Sequence, residues 1–107
     1  MKEKYQMTIS KAIGTNEVVL TLGGRLDTAT SPELEEELKP LWEAGDTDIT
    51  LNLAELSYVS SAGLRVLLMS EKKCKANKKQ FTIKGANESI REIFDLTGFS
   101  GILTVVS

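Results

Sequence analysis

Leu56-Ser57-Tyr58-Val59-Ser60-Ser61-Ala62-Gly63-Leu64-Arg65-Val66-Leu67-Leu68 sets two adjacent hydroxyls and a glycine between a strand-like run and a helical one. Upstream, Ile49, Leu51 and Leu53 alternate with Thr50 and Asn52, the two-residue period of a strand. Downstream, Leu64, Leu67 and Leu68 recur at helical spacing among good helix formers. Ser60 or Ser61 therefore falls at or beside the helix N-cap, where a side-chain oxygen accepts from free backbone N–H groups. The same N–H groups and the positive end of the helix dipole favour phosphate at this position. The chemistry these hydroxyls offer is modification at a surface. The plainer reading, serine as a cap and nothing more, is the commoner fate of a serine before an apolar helix.

Other chemistries lose their usual residues. The chain of 107 residues has no histidine and one cysteine, Cys74. That removes the Ser-His-Asp triad, the commonest general base, and the His- and Cys-rich metal sites. GxGxxG and GxxxxGK[ST] are both absent, and with them the two common phosphate-cradling loops. The expectation is a binding module without a catalytic residue, cofactor or metal. A lone cysteine also fits a reducing compartment. Lacking a membrane-length apolar run or a signal-peptide core, the chain is expected to be soluble and cytoplasmic.

Charge is unevenly spread around a net value of −2. Acids crowd Glu33 to Asp48, where Lys39 is the one base; Lys72, Lys73, Lys75, Lys78 and Lys79 follow without an acid among them. The lysine run lacks interleaved aromatics and arginines, so a solvated helix end, with cations at the negative dipole terminus, explains it better than nucleic acid does.

The elements that must hold the hydroxyls are legible in outline. Tyr5, Met7 and Ile9, then Val18, Leu20 and Leu22, form two alternating runs around the turn Gly14-Thr15-Asn16-Glu17, an antiparallel hairpin. Gly23-Gly24 is expected to close the second strand. A loop from Arg25 to Ser31 leads to a helix capped by Ser31, with Pro32 at its first position and Leu34, Leu38, Leu41 and Trp42 as its buried stripe. Pro40 should kink that helix or start a new turn, and Gly45 ends it. The strand Ile49–Leu53 and a helix from Ser61 to about Asn77 follow. Phe81 and Ile83 mark a strand ending at Gly85. Asn87 caps a helix bearing Ile90, Ile93, Phe94 and Thr97, stopped by Gly98, and Ile102–Val106 forms the last strand.

The order is ββαβαβαβ, an α/β domain spanning residues 1–107 with a mixed, mostly parallel five-stranded sheet covered by helices. Ile49–Leu53 should be the central strand, with Leu20, Leu51, Leu67, Ile83 and Ile93 buried.

Four segments in register then carry a resemblance: Gly24-Arg25-Leu26-Asp27, Ile49-Thr50-Leu51-Asn52-Leu53, Tyr58-Val59-Ser60-Ser61-Ala62-Gly63-Leu64 and Asp95-Leu96-Thr97-Gly98-Phe99. Together, over about Met7 to Val106, the chain resembles the STAS domain of bacterial anti-sigma-factor antagonists. The family's usual loop reads Asp-Ser-[Ser/Thr/Ala]-Gly, with phosphate accepted by the serine after the aspartate. The resemblance places that acceptor on Ser61, while Ser60 stands where the family has its aspartate. Ala62 and Gly63 fit the pattern, and Asp27 matches the acid that lies near the acceptor. It implies that Asp27, Ser60, Ala62, Gly63 and Arg65 face a partner, and Arg65, one turn on, could pair with a phosphate on Ser61. The implied partners are an anti-sigma factor that is also a GHKL-type serine kinase, and a PP2C-type phosphatase. The same domain also occurs in transporter and lipid-trafficking machines, so a cytoplasmic STAS subunit acting in trans is the alternative.

Overall fold

The computed structural model describes residues 7–107, so Tyr5 of the expected first strand lies outside the described residues. The elements are β1 (Thr8–Ile13), β2 (Glu17–Leu26), α1 (Ser31–Ala44), β3 (Asp48–Val59), α2 (Ser61–Ala76), β4 (Phe81–Lys84), α3 (Glu88–Thr97), a 3-10 turn (Phe99–Gly101) and β5 (Thr104–Val106). One five-stranded sheet has the order β1-β2-β3-β4-β5. The β1–β2 hairpin is antiparallel and every later pair is parallel. The expected ββαβαβαβ order and the central place of Ile49–Leu53 are both present.

Period-two alternation decides which face is covered. Val18, Leu20, Leu22, Ile49, Leu51, Leu53, Phe81 and Ile83 share one side and are buried, whereas Val19, Thr21, Asn52, Thr82 and Lys84 between them are half-exposed. Helix residues close the core from the apolar side: Leu34, Leu38 and Trp42 of α1, Leu64 and Leu67 of α2, Ile90 and Phe94 of α3. Of the five expected core residues, Leu20, Leu51, Leu67 and Ile83 are fully enclosed and Ile93 is half-buried against them. The α1–α2 layer is tied by polar bonds: the Trp42 indole N–H donates to Ser70 Oγ at 3.0 Å, and Asn77 Nδ2 donates to the Trp42 carbonyl at 3.0 Å.

Several boundaries differ from the sequence expectation, each for a local reason. Gly23-Gly24 does not close β2: the strand runs on to Leu26, with register shifts against β3 on either side of the glycine pair. These small residues let the strand re-aim rather than stop. Likewise β3 extends past Leu53 to Val59. Thr30, not Ser31, is the cap residue of α1, and Ser31 is already its first helical residue. The helix runs unbroken through Pro40. Both Pro40 and Glu36, whose carbonyl loses its partner, are exposed, so water can satisfy that oxygen. The last strand shortens to Thr104–Val106 because Phe99–Gly101 coils into the 3-10 turn. Gly45 and Gly98 do end their helices, at φ of 64° and 83°, a backbone region that costs glycine little.

Candidate functional site

The site is built where parallel strands β2 and β3 end together. Arg25 pairs with Tyr58 and Leu26 with Val59, and the Ser60 N–H then donates to the Leu26 carbonyl at 2.9 Å. That bond fixes the point at which the chain leaves the sheet. Ser60 is the α2 N-cap in an extended conformation, and its Oγ accepts from the Gly63 N–H at 3.3 Å. Leu64 N–H donates to the Ser60 carbonyl at 2.9 Å, closing the first turn.

Capping is therefore Ser60's work, and Ser61 is released from it. Ser61 is the exposed first residue of α2, and its hydroxyl takes part in no hydrogen bond among the described residues. The first turn contains no acid, so nothing there opposes a negative group at the positive end of the helix dipole. Ala62 is half-buried, and Arg65 stands exposed one turn along. Residues four apart on a helix are neighbours, and an arginine at the later position leans back toward the earlier one.

Gly63 is buried against the end of β2. A Cβ built there would meet Leu26 Cγ at 2.8 Å and the Leu26 carbonyl at 3.0 Å. The absence of a side chain lets α2 start directly on the strand end.

Asp27 organises that loop. Its carboxylate accepts from the backbone N–H of Ala29 at 3.0 Å and of Thr30 at 3.1 Å. The Asp27 N–H donates to Thr30 Oγ1 at 2.9 Å, and Thr30 Oγ1 donates to the Arg25 carbonyl at 2.7 Å. Ser31 Oγ donates to the Asp27 carbonyl at 2.6 Å. The Arg25 guanidinium pairs with Asp27 Oδ2 at 3.5 Å and lies 4.3 Å from the centre of the Tyr58 ring. The Thr30 N–H, above all, holds the Asp27 carboxyl below its ordinary 3.8, while partial burial acts in the opposite sense.

Folding depresses this pKa, so the ionised carboxylate steadies the loop above pH 3.8, and that contribution fades as pH falls through the lowered value. We expect the Asp27 carboxyl carbon, followed by NMR, to titrate below 3.8 in the wild type and higher in Thr30→Val, which loses one of the bonds to the carboxylate. A wild-type midpoint at or above 3.8 would contradict the loop geometry.

The structure thus brings Asp27, Ser60, Ala62, Gly63 and Arg65 to one end of the sheet. Thr28 and Pro32 from the Asp27 side and Ala62 and Arg65 from α2 line a cleft of about 270 Å³. Arg25 and Tyr58 belong to the same surface, and buried Thr30 braces it from beneath, but all three escape sequence reasoning. Arg25 and Tyr58 meet through strand pairing, and register is invisible in the chain. Thr30 was recognisable only as a small polar residue near a helix start. Cys74 is remote from this chemistry: it is buried, and desolvation, reinforced by Glu71 and Asp48, pushes its thiol up to about 11. No group of three or more metal-ligating side chains occurs among the described residues, and no described helix is long and apolar enough to cross a membrane.

Residues 9–105 match the family model described as Mlab, STAS domain. The chain belongs to the STAS family. This STAS domain is 40% identical over 84 residues to the anti-sigma-B factor antagonist of Staphylococcus epidermidis, 78% of either chain. In structure it is similar to an anti-sigma factor antagonist from Mycobacterium paratuberculosis (TM-score 0.85, 18% identity, 98% of this chain and 89% of that one). It is also similar to the phosphorylated form of the Bacillus cell fate determinant SpoIIAA (TM-score 0.74, 19% identity, 94% of this chain and 92% of that one). At such identities the structural likeness concerns the fold; the sequence relative supports the STAS domain's place among anti-sigma-factor antagonists.

Proposed function

We propose that this STAS domain is a cytoplasmic anti-sigma-factor antagonist whose docking is switched at Ser61. With Ser61 unmodified, the Asp27 loop and the start of α2 dock on an anti-sigma factor and free its sigma factor. The anti-sigma factor, a GHKL-type serine kinase, then transfers the γ-phosphoryl group of ATP to Ser61. The Ser61 Oγ–P bond forms, the bond from the γ-phosphorus to the β–γ bridging oxygen breaks, ADP leaves, and the hydroxyl proton passes to a base on the kinase. A PP2C-type phosphatase hydrolyses the phosphoserine and resets the switch.

The observation that carries this reading is the division of labour between the two serines: Ser60 caps α2, and Ser61 is exposed with its hydroxyl unengaged. Phosphate adds about −1.5 to −2 charges to a surface that must shed water on docking. An unpaired charge buried in an interface costs several kcal/mol, while the fold is undisturbed because the helix N-terminus tolerates the phosphate.

Incubation with the partner kinase and ATP should label wild type and Ser60→Ala, and leave Ser61→Ala unlabelled. Label that persists in Ser61→Ala and vanishes in Ser60→Ala would move the acceptor to the other hydroxyl. Permease subunits recovered with the unmodified protein in place of a kinase would instead support the transport-class reading.

A further inference from the structure

We propose that the trough between α1 and α2 seats an amphipathic helix of the anti-sigma factor; this deepens the reading above and rests on it. The cleft of about 270 Å³ beside Ala62 and Arg65 adjoins a second of about 460 Å³ that reaches Lys73 and Asn77. Glu35 and Met69 line both, so the two form one trough leading away from Ser61. It follows α2, whose 16 residues span about 24 Å at 1.5 Å per residue. The trough is thus continuous with the surface that carries the switch.

Its chemistry selects the occupant. Both walls are helices, whose backbone groups are already paired, so an added strand would find no ladder to join; an apolar helix face fits such a groove. Half-buried Met69 and buried Val66 supply an apolar floor. Glu35 and Glu43 stand on the α1 wall, with Lys39 between them, and Arg65 and Lys73 stand on the α2 wall. Among the described residues the ion pairs are Lys11–Glu37 and Arg25–Asp27, and neither lies here. The complementary helix carries apolar residues for Met69, a basic edge along α1 and an acidic edge along α2. Phosphate on Ser61 would engage Arg65 one turn away and repel the acidic edge, which couples modification to release without a change of fold.

The probe is the anti-sigma factor that wild type binds and Ser61→Asp binds more weakly, titrated by calorimetry at two salt concentrations. The exposed pair Arg65→Glu/Lys73→Glu should weaken binding by at least about tenfold and flatten its salt dependence. Met69→Glu should weaken it similarly, and Arg91→Glu on the outer side of α3 should leave it unchanged. Met69 touches the core, so a melting curve accompanies that variant; if it unfolds, the exposed double variant decides alone. Wild-type affinity in Arg65→Glu/Lys73→Glu, with Ser61→Asp still weakened, overturns the trough and leaves the switch standing. Failure of wild type to bind any anti-sigma factor ends both. A wild-type dimer in sedimentation that Arg65→Glu/Lys73→Glu dissolves would make a second copy the occupant and overturn the proposal.

Discussion

Ser61→Asp is expected to lose partner affinity by about tenfold to a hundredfold while the protein melts at nearly the wild-type temperature. One carboxylate brings about half the charge of the phosphate. If burying it against the partner costs up to about 3 kcal/mol, affinity falls up to a hundredfold. Stability should hold because α2 has no acid in its first turn, where an added one is favourable by about 0.3–1 kcal/mol. Ser61→Ala should bind like the unmodified protein, since the cap belongs to Ser60. Asp27→Ala should weaken binding through a different route: it removes the acceptor that gathers the Ala29 and Thr30 N–H groups and leaves the loop unorganised. Calorimetric titration of the three variants against the anti-sigma factor reads all of this directly. If Ser61→Asp and Asp27→Ala both bind as tightly as wild type, docking does not use this end of the sheet, and the switch has no physical basis.

Gly63→Ala should carry the largest stability loss of any single-methyl change near the site. Two effects oppose one another. Alanine in place of glycine favours a helix by up to about 1 kcal/mol. The added Cβ, however, would stand 2.8 Å from Leu26 Cγ and 3.0 Å from the Leu26 carbonyl, which is already engaged by the Ser60 N–H. Overpacking of this kind costs about 1–3 kcal/mol, so the clash prevails, and a net loss of 1 kcal/mol lowers the melting temperature by about 4 °C or more in a domain of this size. Removing the Leu26 side chain relieves part of the clash. Leu26→Ala is itself damaging, at about 2–5 kcal/mol for a fully buried leucine. The double variant should nevertheless be more stable than the sum of the two single losses implies. Gly63→Ala melting at or above the wild-type temperature would mean that α2 does not need to start in contact with β2.

Ser60 in place of the family's aspartate alters the electrostatics of the loop but not its architecture. A hydroxyl accepts the Gly63 N–H as a carboxylate would. What disappears is a fixed negative charge adjacent to Ser61, and with it a source of repulsion for the phosphate proposed there. Arg65 adds a cation on the same face. Under the proposed switch, phosphate on Ser61 would therefore sit in a more positive setting than the family's usual loop provides.

The sequence alone determined the element order, the core face of β2, β3 and β4 and the serine-glycine helix start. These follow from local periods and capping chemistry: leucines and isoleucines two apart, leucines at helical spacing, Asn87 before its helix and Gly98 after it. It also narrowed the cap to two neighbouring serines. Tertiary structure decided between them, because the Ser60 N–H is drawn to the Leu26 carbonyl across the β2–β3 pairing and its hydroxyl then faces Gly63. It decided too that β2 passes through Gly23-Gly24, since pairing with a β3 that extends to Val59 continues across the glycines. The meeting of Arg25, Asp27 and Tyr58 and the α1–α2 trough likewise depend on register and helix packing. Contacts between residues 28 to 35 positions apart leave no period in the chain, so only the folded molecule reveals which surfaces they build.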